Sequence, residues 1–193
     1  DSYSGMKDAL LHLIKEHNFT KIAFIRGPEH HVYAQQRYQA YLDVHREFNI
    51  KIDEHKVSAP GSWEKESGID AINYFLIQNK LRIKDDIEAI AGANDYLVIG
   101  AVEELKKRGY KVPGDVSVIG FNNTPHAESF TPPLTSVAMP YFEQGENAVD
   151  VICKILDGEK VQQKTLLKSQ LILHRSCGCK SESVTGISTD VQT

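Results

Sequence analysis

The chain has 193 residues, a formal net charge of −4, and an ordinary balance of 41% hydrophobic and 25% charged residues. That length supports one domain, or one and a fraction, burying roughly 70% of the unfolded surface. No apolar run approaches the roughly 20 residues of a membrane span, no secretory leader is read at the start, and the negative charge argues against nucleic-acid binding by this piece.

The periodicity predicts a first helix over 4–17, with Met6, Leu10, Leu13 and Ile14 on one face. A strand over 21–25 follows and ends at Gly27-Pro28. The next helix spans 33–48 with an apolar stripe of Ala34, Tyr38, Tyr41, Leu42 and Phe48, and Arg37 lies off it. A short strand is expected over 55–58, then a helix over 63–78 with Ile72, Phe75 and Leu76 inward. The turn-like Lys84-Asp85-Asp86 precedes a strand over 89–92.

Asn94 reads as the cap of a helix that turns Leu97, Ala101 and Leu105 inward. Lys106, Lys107 and Arg108 form its basic last turn, and Gly109 ends it. Val116-Ser-Val-Ile-Gly-Phe121 suits a parallel strand covered on both faces. It opens onto Asn122 and Asn123, at the carboxyl end where open α/β sheets bind ligands. A Pro-Pro loop comes next. After Pro140 a long helix carries Ala148, Val149, Ile152, Ile155 and Leu156 at a 3.6-residue period, and 166–174 reads as strand. From Ser176 the chain is rich in Ser, Thr and Gly and reads as a tail or linker. Alternating strands and helices imply an α/β fold, doubly wound, with right-handed crossovers.

Cys153, Cys177 and Cys179 make no disulfide framework. Cys153 falls on a helix stripe and is expected to be buried. Cys177-Gly-Cys179 has too few ligands for zinc, and the adjacent His30 and His31 point in different directions, so no metal site is expected. There is no G-x-G-x-x-G, G-x-x-x-x-G-K-[ST] or G-x-S-x-G, and no paired carboxylates at strand ends. An enzyme, such as a nucleotide-dependent α/β one, is therefore the weakest reading, and neither catalytic residues nor a cofactor are assigned.

Seven segments occur in a telling order: GMKDALLHLIKEHNFTKIAFIRGP, AQQRYQAYLD, GSWEKESG, AGAND, VPGDVSVIGFNN, PPLTSV and LILHRSCG. Together, from about Gly5 to Arg175, they resemble the effector-binding domain of the LacI/GalR family. The resemblance implies a Rossmann-like parallel sheet with helices on both faces, one lobe of a type I periplasmic-binding-protein-like fold. Residues 1–138 and 164–176 would form the C-terminal lobe. Residues 139–163 would be a crossover and helix of the other, absent lobe, and 177–193 a flexible tail. The DNA-binding domain and first lobe would be missing, so the chain is expected to be a fragment.

The same resemblance supplies candidate ligand residues. Arg37 matches an arginine used on sugar hydroxyls or carboxylates, and its rigid fork of donors suits that task. Trp63 matches a residue that stacks on the ligand. Asn94 doubles as cap and contact. Asn122 stands where most members carry an aspartate that accepts from two hydroxyls, so the effector could be a different sugar, a nucleobase-like molecule or a carboxylate. Tyr33 would narrow the cleft, and His31 could line it. The implied protein is a cytoplasmic, homo-oligomeric sensor of a small, sugar-like effector, touching DNA only through an absent N-terminal domain and making no membrane contact. The Arg175-Ser-Cys-Gly-Cys179 ending also resembles sensor domains placed before diguanylate cyclases or histidine kinases. An output module after the tail, rather than a DNA reader before residue 1, would discriminate that alternative.

Overall fold

A computed structural model describes residues 1–180 and 184–185. The elements are α1 (Ser2–Lys15), β1 (Ile22–Ile25), α2 (Val32–Glu47), α3 (Lys65–Asn73), β2 (Ala89–Gly92), α4 (Asp95–Lys107), β3 (Ser117–Asn122), α5 (Pro125–Ser129), β4 (Thr135–Ala138), α6 (Tyr141–Leu156), β5 (Gln170–Leu173) and β6 (Val184–Thr185). The strands form one sheet in the order β1-β2-β3-β4-β5-β6. The first four run parallel, β5 is antiparallel to β4, and β6 is antiparallel to β5. This is the mostly parallel α/β sheet expected from the strand-helix alternation.

Side-chain alternation along β3 shows that both faces are covered. A Cβ on Gly120 would lie 2.3 Å from Asp95 Oδ1 on α4, whereas the ring of Phe121 faces Arg37 of α2. Helices α1 and α2 pack together, as do α3 and α4. The second pair approaches unusually closely. A Cβ on Gly68 would sit 2.0 Å from Leu97 O, and one on Gly100 2.0 Å from Lys65 O, so only glycine permits this spacing. Tyr41 binds α2 to the sheet, donating its hydroxyl to Ile22 O over 3.0 Å while its ring meets Phe24.

Several expected elements differ in detail. Residues 54–56 form a short 3-10 turn, and the strand expected over 55–58 shrinks to a bridge from Val57 to Phe24. The helix expected over 63–78 begins at Lys65 and ends in a π-helical turn over Tyr74–Gln78. The buried face of α2 carries Ala34, Arg37, Ala40, Tyr41, Val44 and His45. It is rotated from the predicted stripe, and Arg37 lies on it.

The expected Pro-Pro loop contains α5 and strand β4. Thr135 and Ser136 are fully buried there. Their hydroxyls reach His174 O and Asp95 Oδ1, which removes the cost of placing them inside a sheet. Ser176 and Cys177, read as the start of the tail, are also fully buried. Ser176 Oγ donates to Val118 O over 2.7 Å and accepts from Thr135 N over 2.8 Å. Of the rest of the expected tail, residues 178–180 continue this segment, and 181–183 and 186–193 lie outside the described residues.

Helix α6 has no buried residue. Its predicted apolar stripe exists but is bare, with Val149, Ile152, Ile155 and Leu156 all exposed. Cys153 is accordingly exposed rather than buried, since α6 buries none of its residues. Among the described residues, no helix is long and apolar enough to cross a membrane.

Candidate functional site

At the carboxyl ends of β1, β2 and β3 the structure gathers the sequence-predicted residues around Arg37. That side chain is 5% exposed, not the surface group expected from the stripe. Its Cζ lies 3.7 Å from the centre of the Phe121 ring and 5.7 Å from that of Trp63. Nη1 donates to Ala93 O over 2.5 Å and Nη2 to Ser2 Oγ over 3.4 Å. Nε has no partner. Burial depresses the guanidinium to about 10, against smaller raising effects of Tyr141, Asp95 and Tyr33.

Trp63 lies against Gly27, where a Cβ would come within 2.5 Å of its ring. His31 meets it edge-on at 5.1 Å and contacts Tyr33 at 5.5 Å. Both His31 and Tyr33 are exposed, which puts them at the rim. Asn94 makes one hydrogen bond at each end of its amide: Oδ1 accepts from Leu97 N over 2.8 Å and Nδ2 donates to Trp63 O over 2.9 Å. It caps α4 and fixes the loop that holds Trp63.

Asn122 and Asn123 both have positive φ, 104° and 47°. Asparagine tolerates this region better than most residues, and such local strain clusters at ligand-binding positions. Among the described residues, the Oδ1 atoms of both lack hydrogen-bond partners. Asn123 is otherwise anchored, its amide donating to Ser136 Oγ and its Nδ2 to Glu128 Oε1.

Asp95 is a neighbour that the sequence reading missed. It is fully buried, and accepts from Ser136 Oγ at 2.6 Å and Thr124 N at 2.8 Å. Burial raises its pKa, and those hydrogen bonds oppose the rise. In sequence it looks like an acidic residue serving the first turn of a helix. The available signal was Gly120 at a strand position where only a bare Cα leaves room for the carboxylate.

A groove of about 590 Å³ adjoins this cluster, lined among others by Ser2, Tyr33, Gln36, Gln144, Asn147 and Leu167. It shares Ser2 and Tyr33 with the surroundings of Arg37, and α6 forms its far wall. Together these residues offer donors, acceptors and aromatic faces, which is the chemistry of recognition.

A second group lies at the opposite, amino-terminal pole of the parallel strands. His12, His17, Cys177 and Cys179 converge there, a ligand-capable atom of each within 4.8 Å of the others. Cys177-Gly-Cys179 looked ligand-poor because its companions are remote in sequence: Cys179 is 167 positions from His12 and 162 from His17.

Comparison with known proteins agrees with the geometry. The model of the periplasmic binding protein-like domain matches residues 11–177, and the chain belongs to that family. Its curated relatives include the HTH-type transcriptional repressor PurR of Mannheimia succiniciproducens, 28% identical over 177 residues, 91% of this chain and 51% of that protein. The repressor CytR of Escherichia coli K12 is 30% identical over 177 residues, 91% of this chain and 50% of that protein. The chain thus spans about half the length of the curated relatives it matches. Among solved structures, the Escherichia coli repressor ascG superposes with a TM-score of 0.80 at 28% identity, covering 91% of this chain and 62% of that one. The CelR–cellobiose complex gives 0.80 and 28%, over 91% and 52%. These relatives are LacI-type transcription regulators, as the ordered motifs indicated.

Proposed function

We propose that the chain supplies the C-terminal, effector-binding lobe of a LacI/GalR-type transcription regulator, and that a small sugar-like molecule seats over Arg37. The observation that carries this reading is Arg37 itself. It is a buried cation whose Nε is unpartnered and which, among the described residues, makes no ion pair. Burying such a group is costly, and perturbed buried ions concentrate at functional sites.

Trp63 provides an apolar face for the ring of a sugar, and Asn122 Oδ1 an acceptor for a hydroxyl. Tyr33 and His31 stand at the entrance. Two related structures are of regulators linked to sugars: the CelR–cellobiose complex and a sugar-binding LacI-family regulator of Escherichia coli. The bare stripe of α6 fits a helix that crosses to a second lobe, so the ligand would bridge two lobes and favour the closed state by its differential affinity. Regulation of DNA binding would follow through a separate reader domain in a cytoplasmic oligomer. A sugar titration followed at the Arg37 Nε–H resonance tests the seat. Movement of that signal with the Trp63 indole supports it, and an unmoved signal under a ligand that binds elsewhere refutes it.

A further inference from the structure

We propose that His12, His17, Cys177 and Cys179 form a tetrahedral Zn²⁺ site at the pole of the sheet opposite Arg37. The two imidazole Nε2 atoms are 3.2 Å apart, and Cys179 Sγ lies 3.5 Å from each. A regular zinc tetrahedron with ordinary Zn–N and Zn–S bonds separates two nitrogens by about 3.3 Å and a nitrogen from a sulfur by about 3.6 Å. Three edges therefore already have coordination spacing. Cys177 Sγ, within 4.8 Å of all three, supplies the fourth vertex. Two thiolates and two imidazoles in this arrangement select zinc among the common divalent ions, and the two thiolates balance its charge.

The backbone that brings them together is built for convergence. His12 lies in the last turn of α1, and His17 just beyond it where the chain reverses through Asn18 at φ 56°. Gly178, at φ 99°, turns the chain between the two cysteines, a conformation that glycine adopts freely. Surrounding groups orient the ligands, as around established metal sites. Ser117 Oγ donates to Cys177 O over 2.8 Å, Thr135 Oγ1 lies 3.1 Å from Cys177 Sγ, and the His17 ring stacks on Phe19 at 5.3 Å. His12 and Cys177 are buried, while His17 and Cys179 are partly open, which gives an ion a path inward.

The ion would clip the end of α1 to the segment that follows β5, joining the two extremes of the fold. Because the ligands are scattered in the unfolded chain, metal binding and folding are coupled. The inference is independent of the effector reading, since it uses none of the residues around Arg37.

The test uses the full chain, purified under reductant, dialysed with Zn²⁺ and then freed of excess. Metal analysis is expected to give one zinc per chain. Titration with Co²⁺ is expected to produce the intense visible absorption of a tetrahedral thiolate complex, and zinc to bleach it. Cys179→Ser and His17→Asn, at partly open positions, are expected to lose that band or at least about tenfold in affinity, with circular dichroism confirming that each is folded. Zinc is expected to raise the melting temperature of the wild type and not of Cys179→Ser. The proposal is overturned if folded, reduced wild type retains no zinc and gives no cobalt band. It is overturned equally if both variants keep full stoichiometry, or if Cys177 and Cys179 stay oxidised to each other under reductant.

Discussion

The guanidinium of Arg37 lies 3.7 Å from the centre of the Phe121 ring, so a cation of α2 rests on an aromatic face at the end of β3. Replacing Arg37 with methionine keeps an apolar chain on that ring. It removes a buried charge, which is often neutral or stabilising, and strands Ala93 O, which costs about 1–3 kcal/mol. Arg37→Met is therefore expected to lower unfolding free energy by no more than about 3 kcal/mol while abolishing ligand binding. Denaturant melts with calorimetric titration check this; unchanged affinity would remove Arg37 from the site.

Asp95 gives a pH signature. Its folded pKa is raised by burial above the ordinary 3.8. Between the unfolded and folded values, a carboxyl shifted in this direction binds more protons in the folded state than in the unfolded one. Its stabilising contribution is complete below 3.8 and is lost as pH rises through the folded value. Wild type is thus expected to gain stability relative to Asp95→Asn as pH falls from neutrality towards that window. Parallel urea melts across the range measure the difference, and a constant difference would mean that Asp95 does not titrate in this way.

Gly68 and Gly100 set the spacing of α3 and α4. Gly100→Ala forces a methyl into backbone carbonyl Lys65 O and is expected to cost about 1–3 kcal/mol, or more if the helices cannot part. The exposed, positive-φ Gly158 has open space around it and serves as the contrast: substitution there carries only backbone strain. Equal losses of stability at the two positions would argue against helix contact as the cause.

The bare face of α6 is expected to drive association of this chain with a second copy. Ile152→Glu combined with Leu156→Glu is expected to shift the population to monomer without loss of folding stability, since neither residue contributes to the core. Light scattering at micromolar concentration reads this. A wild-type monomer at that concentration would contradict it.

Much of this fold was legible because its parallel strands are continuous apolar runs and its helices carry caps and periodic stripes. Strand β2 was read at 89–92 as it stands. Strand β4 was hidden because Thr135 and Ser136 look like loop residues until their hydroxyls find His174 O and Asp95. Arg37 was read as lying off the apolar stripe because a buried arginine without an ion pair runs against hydrophobic periodicity, and only the third dimension shows Phe121 beneath it. The His12–Cys179 cluster was invisible for a different reason. Metal-ligand spacing is recognised within short segments, and these ligands come from opposite ends of the chain.

Asn122 tunes ligand choice in the proposed site. Its Oδ1 is unpartnered among the described residues, and its amide supplies a donor where a carboxylate would only accept. Asn122→Asp is expected to shift preference towards polyols, whose paired hydroxyls suit an acceptor-only group. Affinities over a sugar panel decide the point, and identical profiles for the two proteins would place Asn122 outside the site.

The most direct measurement is nuclear magnetic resonance of the side-chain N–H groups during titration with sugars, nucleosides and small carboxylates. One lobe encloses less of a ligand than the 70–90% typical of complete pockets, so weak binding at millimolar concentration is expected. A sugar that moves the Arg37 Nε–H, the Trp63 indole and the Asn122 amide together, and leaves His12 and His17 unmoved, is the predicted result. A panel in which no compound shifts these three groups, or in which the shifts gather elsewhere on the sheet, would contradict the account.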